Sequence, residues 1–168
     1  MIGLTFDGTI LTAATLSDGG EIFASAEQIA PDTDYRAWLL AVCAMIEQIR
    51  TPQNAGDALG VALPAIIQDD VVAYSAFSLL ANPSIRRDVQ SALGMPVSVH
   101  NIGEALATQA CRTGAATDAQ LAVAMWIGNS CHGGLALAGQ PVTGAHGATA
   151  NWPHLQLPAP VPHELDGR

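Results

Sequence analysis

The cysteines and histidines are the residues of this sequence best suited to bind a metal, and their spacing does not support that role. Cys43, Cys111 and Cys131 are too far apart to form the closely spaced pair that a zinc site needs. Cys131 and His132 are adjacent, but two neighbouring residues on a loop do not make a metal site. We therefore expect no metal, and no zinc in particular. Three scattered cysteines also argue for a reducing compartment, with the cytoplasm as the default.

Two glycine-containing segments could instead bind a ligand through hydrogen bonds. Asp7-Gly8 is the dipeptide most typical of a tight hairpin turn. Residues 128–134 read Gly-Asn-Ser-Cys-His-Gly-Gly, and the side chains of Asn129 and Ser130 can donate hydrogen bonds. For both segments a structural turn is the favoured interpretation, with ligand binding as the alternative.

Asn101 and Glu104 have the spacing of a capping box at the start of a helix. In that motif the Asn101 side chain accepts from the backbone of the first helical turn, and Glu104 reaches back to the N–H of Asn101. A structural role is the favoured interpretation of this pair.

The elements that must position these residues begin with three predicted strands and continue as alternating helices and strands. An apolar stripe at three- and four-residue spacing indicates the first helix, for which Asp32 is the predicted N-cap. Residues 121–127 are all apolar and are predicted to form a strand that needs cover on both faces. The predicted strands are 2–6, 9–16, 21–28, 57–63, 71–74, 97–100, 121–127 and a hairpin within 133–142; the predicted helices are 32–50, a helix from Asn82-Pro83 to Gly94, and 102–113.

Composition excludes several classes of protein. Hydrophobic residues make up 49% of the 168 residues and charged residues 12%, which does not fit a disordered chain. The net charge is −9, and no basic run exists, so neither nucleic acid nor an anionic membrane is an expected partner. No apolar run approaches the ~20 residues that cross a bilayer.

Six segments, in this order, resemble the motifs of the ROK (repressor, open reading frame, kinase) family of sugar kinases. The fullest match is Leu93-Gly94-Met95-Pro96-Val97, against the family's L-G-x-P-V. The others are Thr5–Thr9, Gly60–Ala65, Asn101–Glu104, Gly128–Gly134 and Gly144–His154. The resemblance implies an α/β, actin-like (ribonuclease H-like) fold. Its first lobe, of βββαβαβα order, would span residues 1–117, with opening strands of a second lobe at 118–152 and a proline-rich tail at 153–168.

The resemblance also implies ATP-dependent sugar phosphorylation with Mg²⁺. Residues that the family's phosphate loops place near the nucleotide are Gly8, Thr9, Gly128, Asn129, Ser130, Gly133 and Gly134. Residues that match the family's sugar contacts are Asn101, Asn151 and His154, while the position of another sugar-binding asparagine falls near Ala76.

Two departures from the family pattern predict an inactive protein. Thr5 stands where the family has the aspartate that helps to hold magnesium, and Asp7 replaces a glycine of the same loop. Ile102 stands at the position of the general base, and an isoleucine cannot accept a proton. Glu104 is only a weak substitute, because two residues along a helix turn a side chain by about 200°.

Three functions therefore compete. They are an active sugar kinase, a degenerate relative that binds a carbohydrate without catalysis, and a protein-interaction scaffold. The two departures favour the second. We also expect a homodimer, because the apolar strand at 121–127 has too little predicted cover.

Overall fold

The computed structural model describes residues 1–32, 34–51, 56–81, 84–127, 131–150 and 152. The strands in this part of the chain are β1 (Ile2–Phe6), β2 (Ile10–Leu16), β3 (Ile22–Ile29), β4 (Leu59–Leu63), β5 (Ile66–Gln68), β6 (Val71–Tyr74), β7 (Val97–Asn101), β8 (Leu121–Ile127), β9 (Cys131–Leu137) and β10 (Gln140–Pro141). The helices are α1 (Tyr35–Ile49), α2 (Ile85–Leu93) and α3 (Ile102–Thr113), and a short 3-10 helix covers Ser78–Leu80. None of these helices is long and apolar enough to cross a bilayer.

A five-stranded mixed sheet forms the centre of the fold, in the order β3-β2-β1-β4-β7. The first three strands are an antiparallel meander, as the two glycine-containing turns predicted. β4 pairs in parallel with β1 on one side and with β7 on the other. The strand predicted at 57–63 is therefore central, and the α/β prediction is confirmed.

The main core lies between this sheet and α1. Alternate residues of β1, Ile2, Leu4 and Phe6, are buried, as period-two geometry requires when one face of a strand packs inward. Trp38 of α1 meets them, with its ring 6.0 Å from that of Phe6 in an edge-to-face arrangement. Burying such large side chains stabilises the fold by about 1.5–3 kcal/mol each.

The N-cap of α1 is Asp34, and the prediction of Asp32 was wrong. The Asp34 side chain accepts a hydrogen bond from the backbone N–H of Arg36 at 2.9 Å, and the helix begins at Tyr35. Both aspartates have the chemistry of a cap. The choice between them depends on where the apolar stripe meets the sheet, which the local sequence does not specify.

The predicted C-terminal end of α2 and both predicted ends of α3 agree with the structure. α2 ends at Gly94, whose φ of 64° gives the left-handed C-cap that glycine favours. The predicted start of this helix, Asn82-Pro83, lies outside the described residues. α3 spans the predicted residues and is capped by Asn101.

A small hairpin of β5 and β6 was only half predicted. β6 was expected, but β5 was not. The turn between them contains Asp69 and Asp70, which both have positive φ (51° and 63°) without being glycine. Turns of that shape favour Gly, Asn and Asp, but Asp69-Asp70 lacks the glycine that most often marks a hairpin, so the sequence signal was weak.

A second, three-stranded sheet has the order β10-β9-β8. One of its faces packs on α3, where Ala122 and Ala136 meet Ala107 and Cys111 in a small cluster. The prediction of a strand at 121–127 is confirmed, and in the described residues α3 covers one of its faces. On the other face the large side chains of β8 and β9 are open to solvent; they are Leu121, Val123, Met125, Ile127 and Leu137.

Candidate functional site

Two clefts lie on either side of the junction where β7 ends and α3 begins. Asn101, the last residue of β7, lines the smaller cleft, which has a volume of about 120 Å³. Ile102, the first residue of α3, lines the larger cleft, which has a volume of about 450 Å³. Neighbouring residues thus face different cavities. The larger volume falls within the 300–1,000 Å³ of most ligand sites, and the smaller one lies below that range.

The smaller cleft is lined by several polar side chains that could bind a sugar hydroxyl. Ser75 lies on one wall and His132 on another, and Ala76 is beside them, where the resemblance implies that a sugar-binding asparagine has been lost. The remaining wall is made by residues 147–150. The Ser75 hydroxyl donates to the carbonyl of Pro64 at 2.9 Å and accepts from the N–H of Phe77.

Asn101 uses its side chain to build the cleft. Its Oδ1 accepts from the backbone N–H groups of Gly103 at 2.7 Å and Glu104 at 3.3 Å, which confirms its half of the capping box. Its Nδ2 donates to the carbonyl of Ala65 at 2.7 Å and so connects the start of α3 to the segment after β4. One N–H of the amide group remains for a ligand.

Glycines let the first turn of α3 approach β9 closely. A Cβ atom on Gly134 would overlap the carbonyl of Gly103, and a Cβ on Gly103 would overlap the carbonyl of Gly133. The indole of Trp152 covers the other side of Gly133. Gly133 and Gly134 therefore have a packing role, and Gly133 also lines the smaller cleft.

The larger cleft brings together the two positions at which the sequence departs from the kinase pattern. Thr5 and Ile102 line it together with Asp7. Most of its other walls are apolar or glycine, including Gly3, Gly60 and Leu106, although Thr12, His100 and Gln109 also contribute. Asp7 contributes the one carboxylate among the described residues that line this cleft.

Asp7 stabilises the turn between β1 and β2, in agreement with the structural interpretation of Asp7-Gly8. Its Oδ1 accepts from the N–H groups of both Thr9 and Ile10 at 2.8 Å. Gly8 has a φ of 104°, and a Cβ there would overlap the ring of Phe77. A glycine is thus needed here for two reasons. Its positive φ is strained for residues with a Cβ, and the ring of Phe77 leaves no space for a Cβ.

Glu104 lies away from both clefts. Its residue is 7% exposed on the first turn of α3, and burial raises the pKa of its carboxyl above the ordinary value. It lines neither cavity. This placement agrees with a role in the structure of α3 and not with proton transfer at a ligand.

His132 is a cleft residue that the sequence did not single out as a site. It lies on β9 opposite Trp126 of β8 and is half-buried. Burial lowers the pKa of its imidazole, and the negative charge of Asp7 acts in the opposite direction. The sequence could not indicate this neighbourhood, because it depends on the register of β8 and β9 and on the packing of both sheets.

Several predicted site residues cannot be placed. Gly128, Asn129, Ser130, Asn151 and His154 lie outside the described residues, so their predicted roles stay predictions. Among the residues that the structure does describe, no group of three or more His, Cys, Asp or Glu side chains could hold a metal ion.

Comparisons with known proteins agree with this architecture. The model of the ROK family matches residues 1–167. The N-acetyl-D-glucosamine kinase of Salmonella newport is 27% identical over 130 residues, which are 76% of this chain and 43% of that protein. A ROK family glucokinase from Streptomyces griseus, solved in complex with glucose and AMPPNP, superposes with a TM-score of 0.86 at 22% identity, over 94% of this chain and 50% of that one. The ROK hexokinase from Thermus thermophilus gives a TM-score of 0.77 at 24% identity, over 94% and 53% of the two chains. This chain thus spans about half the length of these relatives.

Proposed function

The chain belongs to the ROK family, and from that membership we propose that it is a sugar-kinase-like protein that binds a monosaccharide and does not itself transfer phosphate. Binding is proposed for the smaller cleft. A non-catalytic role is proposed because of the residues that line the larger cleft. We propose a cytoplasmic setting and no nucleic-acid partner, in keeping with the net charge of −9.

The observation that carries this proposal is the pairing of Thr5 with Ile102 in one cleft. By family resemblance these two positions would hold the magnesium-binding and the proton-accepting aspartates, and neither residue present has a carboxylate. A positioned general base typically contributes ~10²–10⁴ to a rate. Phosphoryl transfer further depends on cations that neutralise developing charge, and no lysine or arginine is among the described residues that line this cleft.

The described residues do not fit a bound Mg²⁺. Magnesium prefers near-octahedral oxygen ligands and is usually held by one or two carboxylates together with phosphate oxygens. Asp7 is the one available carboxylate in the cleft, and its Oδ1 is already used by two backbone N–H groups. We therefore assign no role to Mg²⁺ or ATP in this cleft, although the Streptomyces griseus relative was solved in complex with AMPPNP.

The sugar contacts are proposed to come from Asn101, Asn151 and His154. Asn101 supports this proposal because its amide lies in the smaller cleft and keeps one N–H for a ligand. The affinity should be weak, since a polar group left unpaired in a sugar complex costs about 1–3 kcal/mol.

The first experiment measures phosphate transfer. The full chain is incubated with ATP, Mg²⁺ and a panel of hexoses and amino sugars, with a ROK glucokinase as positive control. We expect no sugar phosphate above background. Turnover above roughly 1 s⁻¹, an ordinary enzyme rate, would overturn the proposal; its loss in Glu104→Gln would then identify Glu104 as the base.

The second experiment measures sugar binding by titration calorimetry with the same panel. His154→Ala is expected to weaken binding by about 3- to 10-fold, as the loss of one hydrogen bond would. Asn101→Asp keeps the oxygen that caps α3 but removes the Nδ2 donor to both Ala65 and a ligand, so its thermal stability is measured together with its sugar affinity. Tight binding that neither variant changes would place the site elsewhere.

A protein-interaction scaffold is the second candidate function. The exposed apolar face of β8 and β9 favours it, because apolar patches on a soluble protein commonly mark interaction sites. The scaffold is favoured if calorimetry detects no binding of any sugar in the panel and the chain self-associates through that face.

A further inference from the structure

The larger cleft has no assigned ligand, although its volume of about 450 Å³ is that of an ordinary small-molecule site. Its floor is the face of the five-stranded sheet that points away from the main core. Gly3 of β1 and Gly60 of β4 are paired neighbours in that floor, and Thr5 and Ala62 are the next such pair along the same two strands. The floor is therefore flat at the two glycines and carries only small side chains beside them.

Neither of these two glycines is required by the chain itself. Gly3 and Gly60 are not among the residues with positive φ. A Cβ on Gly3 would meet its nearest atom, Leu16 Cδ1, at 3.6 Å, and a Cβ on Gly60 would lie 4.0 Å from its nearest atoms. Because glycine weakens a strand, a glycine in a strand interior often marks a place where a ligand or another backbone comes close. Here the space above both glycines belongs to the cleft.

The other walls of the cleft are mainly apolar. Ile102 and Leu106 of α3 contribute aliphatic side chains, and Trp126 of β8 contributes an indole that is 48% exposed. A flat floor beside apolar walls suits a planar ring, because such a ring can bury both of its faces. The indole adds the attraction between aromatic rings, which favours an aromatic ligand over an aliphatic one.

Charge limits the class of ligand further. Asp7 contributes the one carboxylate among the described residues that line the cleft, and no lysine or arginine is among them. The hydrogen bonds that the Asp7 side chain makes within the described part of the chain both use Oδ1. Oδ2 is thus able to accept from a ligand. A carboxylate in a largely apolar cavity favours a cation, since the attraction between opposite charges is stronger where water is partly excluded.

We propose that the larger cleft binds a planar aromatic molecule that carries an ammonium group, with its ring over Gly3 and Gly60 and its ammonium group at Asp7. This site is separate from the proposed sugar site, which lies in the smaller cleft. A nucleotide carries the opposite charge and is not the ligand expected here.

Three naphthalene derivatives that differ in charge test this ligand class by calorimetry with the full chain. They are naphthylmethylamine, naphthylmethanol and naphthoate, all substituted at the same ring position. At pH 7.5 an alkylamine carries its charge and an ordinary histidine is mostly neutral, so His100 in the cleft adds little to the comparison. The amine should bind about 3- to 10-fold more tightly than the alcohol and more than about 10-fold more tightly than naphthoate.

Asp7→Asn keeps an oxygen that can accept from the turn and removes the charge. It should weaken binding of the amine by about 3- to 10-fold and leave binding of the alcohol unchanged. Asp18→Asn is the matched control, because Asp18 is exposed in the turn between β2 and β3 and lines neither cleft. It removes the same charge from a chain with a net charge of −9 and should leave the preference for the amine intact.

Gly60→Val fills the space above the floor. Its melting temperature should not fall below that of the wild type, because the new Cβ has room and valine favours strands. Binding of all three naphthalene derivatives should weaken by more than about 10-fold, as a blocked cavity requires. Undiminished binding of the amine to Gly60→Val, or a clearly lower melting temperature, overturns the glycine floor as the binding surface.

The remaining outcomes separate this proposal from the one for the smaller cleft. Naphthoate that binds as tightly as the amine, or a preference for the amine that Asp7→Asn retains, overturns the cationic class. Displacement of the amine by ATP with Mg²⁺ overturns it in favour of a nucleotide. No binding of the amine at millimolar concentration overturns the aromatic site and leaves sugar binding standing, since the sugar panel is measured separately. Failure of every sugar to bind likewise leaves the aromatic site standing.

Discussion

Asp7, Asn101 and Asp34 each direct a side-chain oxygen at backbone N–H groups that follow them in the chain. Asp7 stabilises a turn, and Asn101 and Asp34 begin α3 and α1. Short polar side chains compete well for such local bonds, which is why they are common at turns and caps. Two of the polar residues that first suggested chemistry are thus already used by the backbone.

Local bonds of this kind were predictable, but neighbourhoods built from distant segments were not. The cap at Asn101 and the C-cap at Gly94 depend on a few consecutive residues, so the sequence indicated both. The placement of Asn101 and His132 around one cleft depends on two sheets and on the register of β9. No spacing within the sequence indicates that these two residues share a cleft.

Glu104 gives a prediction about stability and pH. Because burial raises its pKa in the folded chain, the ionised carboxylate is disfavoured there, and its contribution to stability is lost as the pH rises through the folded pKa. Glu104→Gln cannot ionise, so its free energy of unfolding relative to the wild type should be greater at pH 7 than at pH 4. Urea denaturation at both pH values measures this.

The exposed Glu47 on α1 provides the matched control for that comparison. Glu47→Gln should differ from the wild type by a similar amount at pH 4 and pH 7. If the free energy of unfolding of Glu104→Gln also differs from that of the wild type by the same amount at pH 4 and pH 7, the carboxyl of Glu104 is solvated in the folded chain.

At the scale of elements, α1 and α2 are joined by a hydrogen bond. The hydroxyl of Tyr35 on α1 donates to a carboxylate oxygen of Asp88 on α2 at 2.9 Å. Burial, with this bond and the charge of Asp88, raises the pKa of Tyr35 well above its ordinary value of 10.0. The bond therefore links helix packing to the protonation of one phenol.

Tyr35→Phe should lower the free energy of unfolding by about 1.5–3 kcal/mol at pH 8, as expected for a hydrogen bond to a charged acceptor. The wild-type advantage is fully present below pH 10 and should shrink as the pH rises above it, since the unfolded tyrosine then ionises first. Urea denaturation at pH 8 and pH 10.5 measures both effects. Tyr74→Phe leaves the Tyr35–Asp88 bond intact and should not reproduce the pH effect.

The contact of α3 with β9 gives a second prediction for elements. A methyl group on Gly134 would overlap the Gly103 carbonyl, so Gly134→Ala should force the helix and the strand apart. The expected loss is about 1–3 kcal/mol, the usual cost of overpacking. Gly19→Ala, where the nearest atom to a new Cβ is Ser17 Oγ at 3.6 Å, should change stability by less than about 0.5 kcal/mol. Equal thermal melting of the two variants would contradict the close approach.

Strand β8 shows the limit of hydrophobic patterns at the scale of elements. Seven consecutive apolar residues correctly predicted a strand at Leu121–Ile127, but Leu121, Val123, Met125, Trp126 and Ile127 are between 48% and 78% exposed. A pattern records which residues favour burial. It does not record whether the described chain contains enough other elements to cover them.

For the whole molecule, this exposed face predicts self-association. β8 is the outer strand of its sheet in the described part of the chain, so its apolar face adjoins a strand edge that could pair with another chain. A two-fold dimer through these strands would cover both. Light scattering after gel filtration should give twice the chain mass of 17.3 kDa.

Val123→Glu places a charge in the middle of that face and should shift the chain to a monomer. Leu40→Glu is the matched control, because Leu40 is similarly exposed (63%) but stands on α1, away from this sheet. It should leave the dimer intact. A monodisperse wild-type monomer, or dissociation by both variants alike, would contradict association through β8.

The smaller cleft also has a consequence for how the chain folds. Its walls come from segments spread between Pro64 and Ala150, and they include residues of both larger sheets. Contacts between such distant segments form only after most of the chain is ordered, since closing long loops costs entropy before any contact offsets it. We therefore expect the cavity to form late in folding. A ligand of this cavity can bind only the folded chain. Its binding therefore shifts the folding equilibrium towards the folded state.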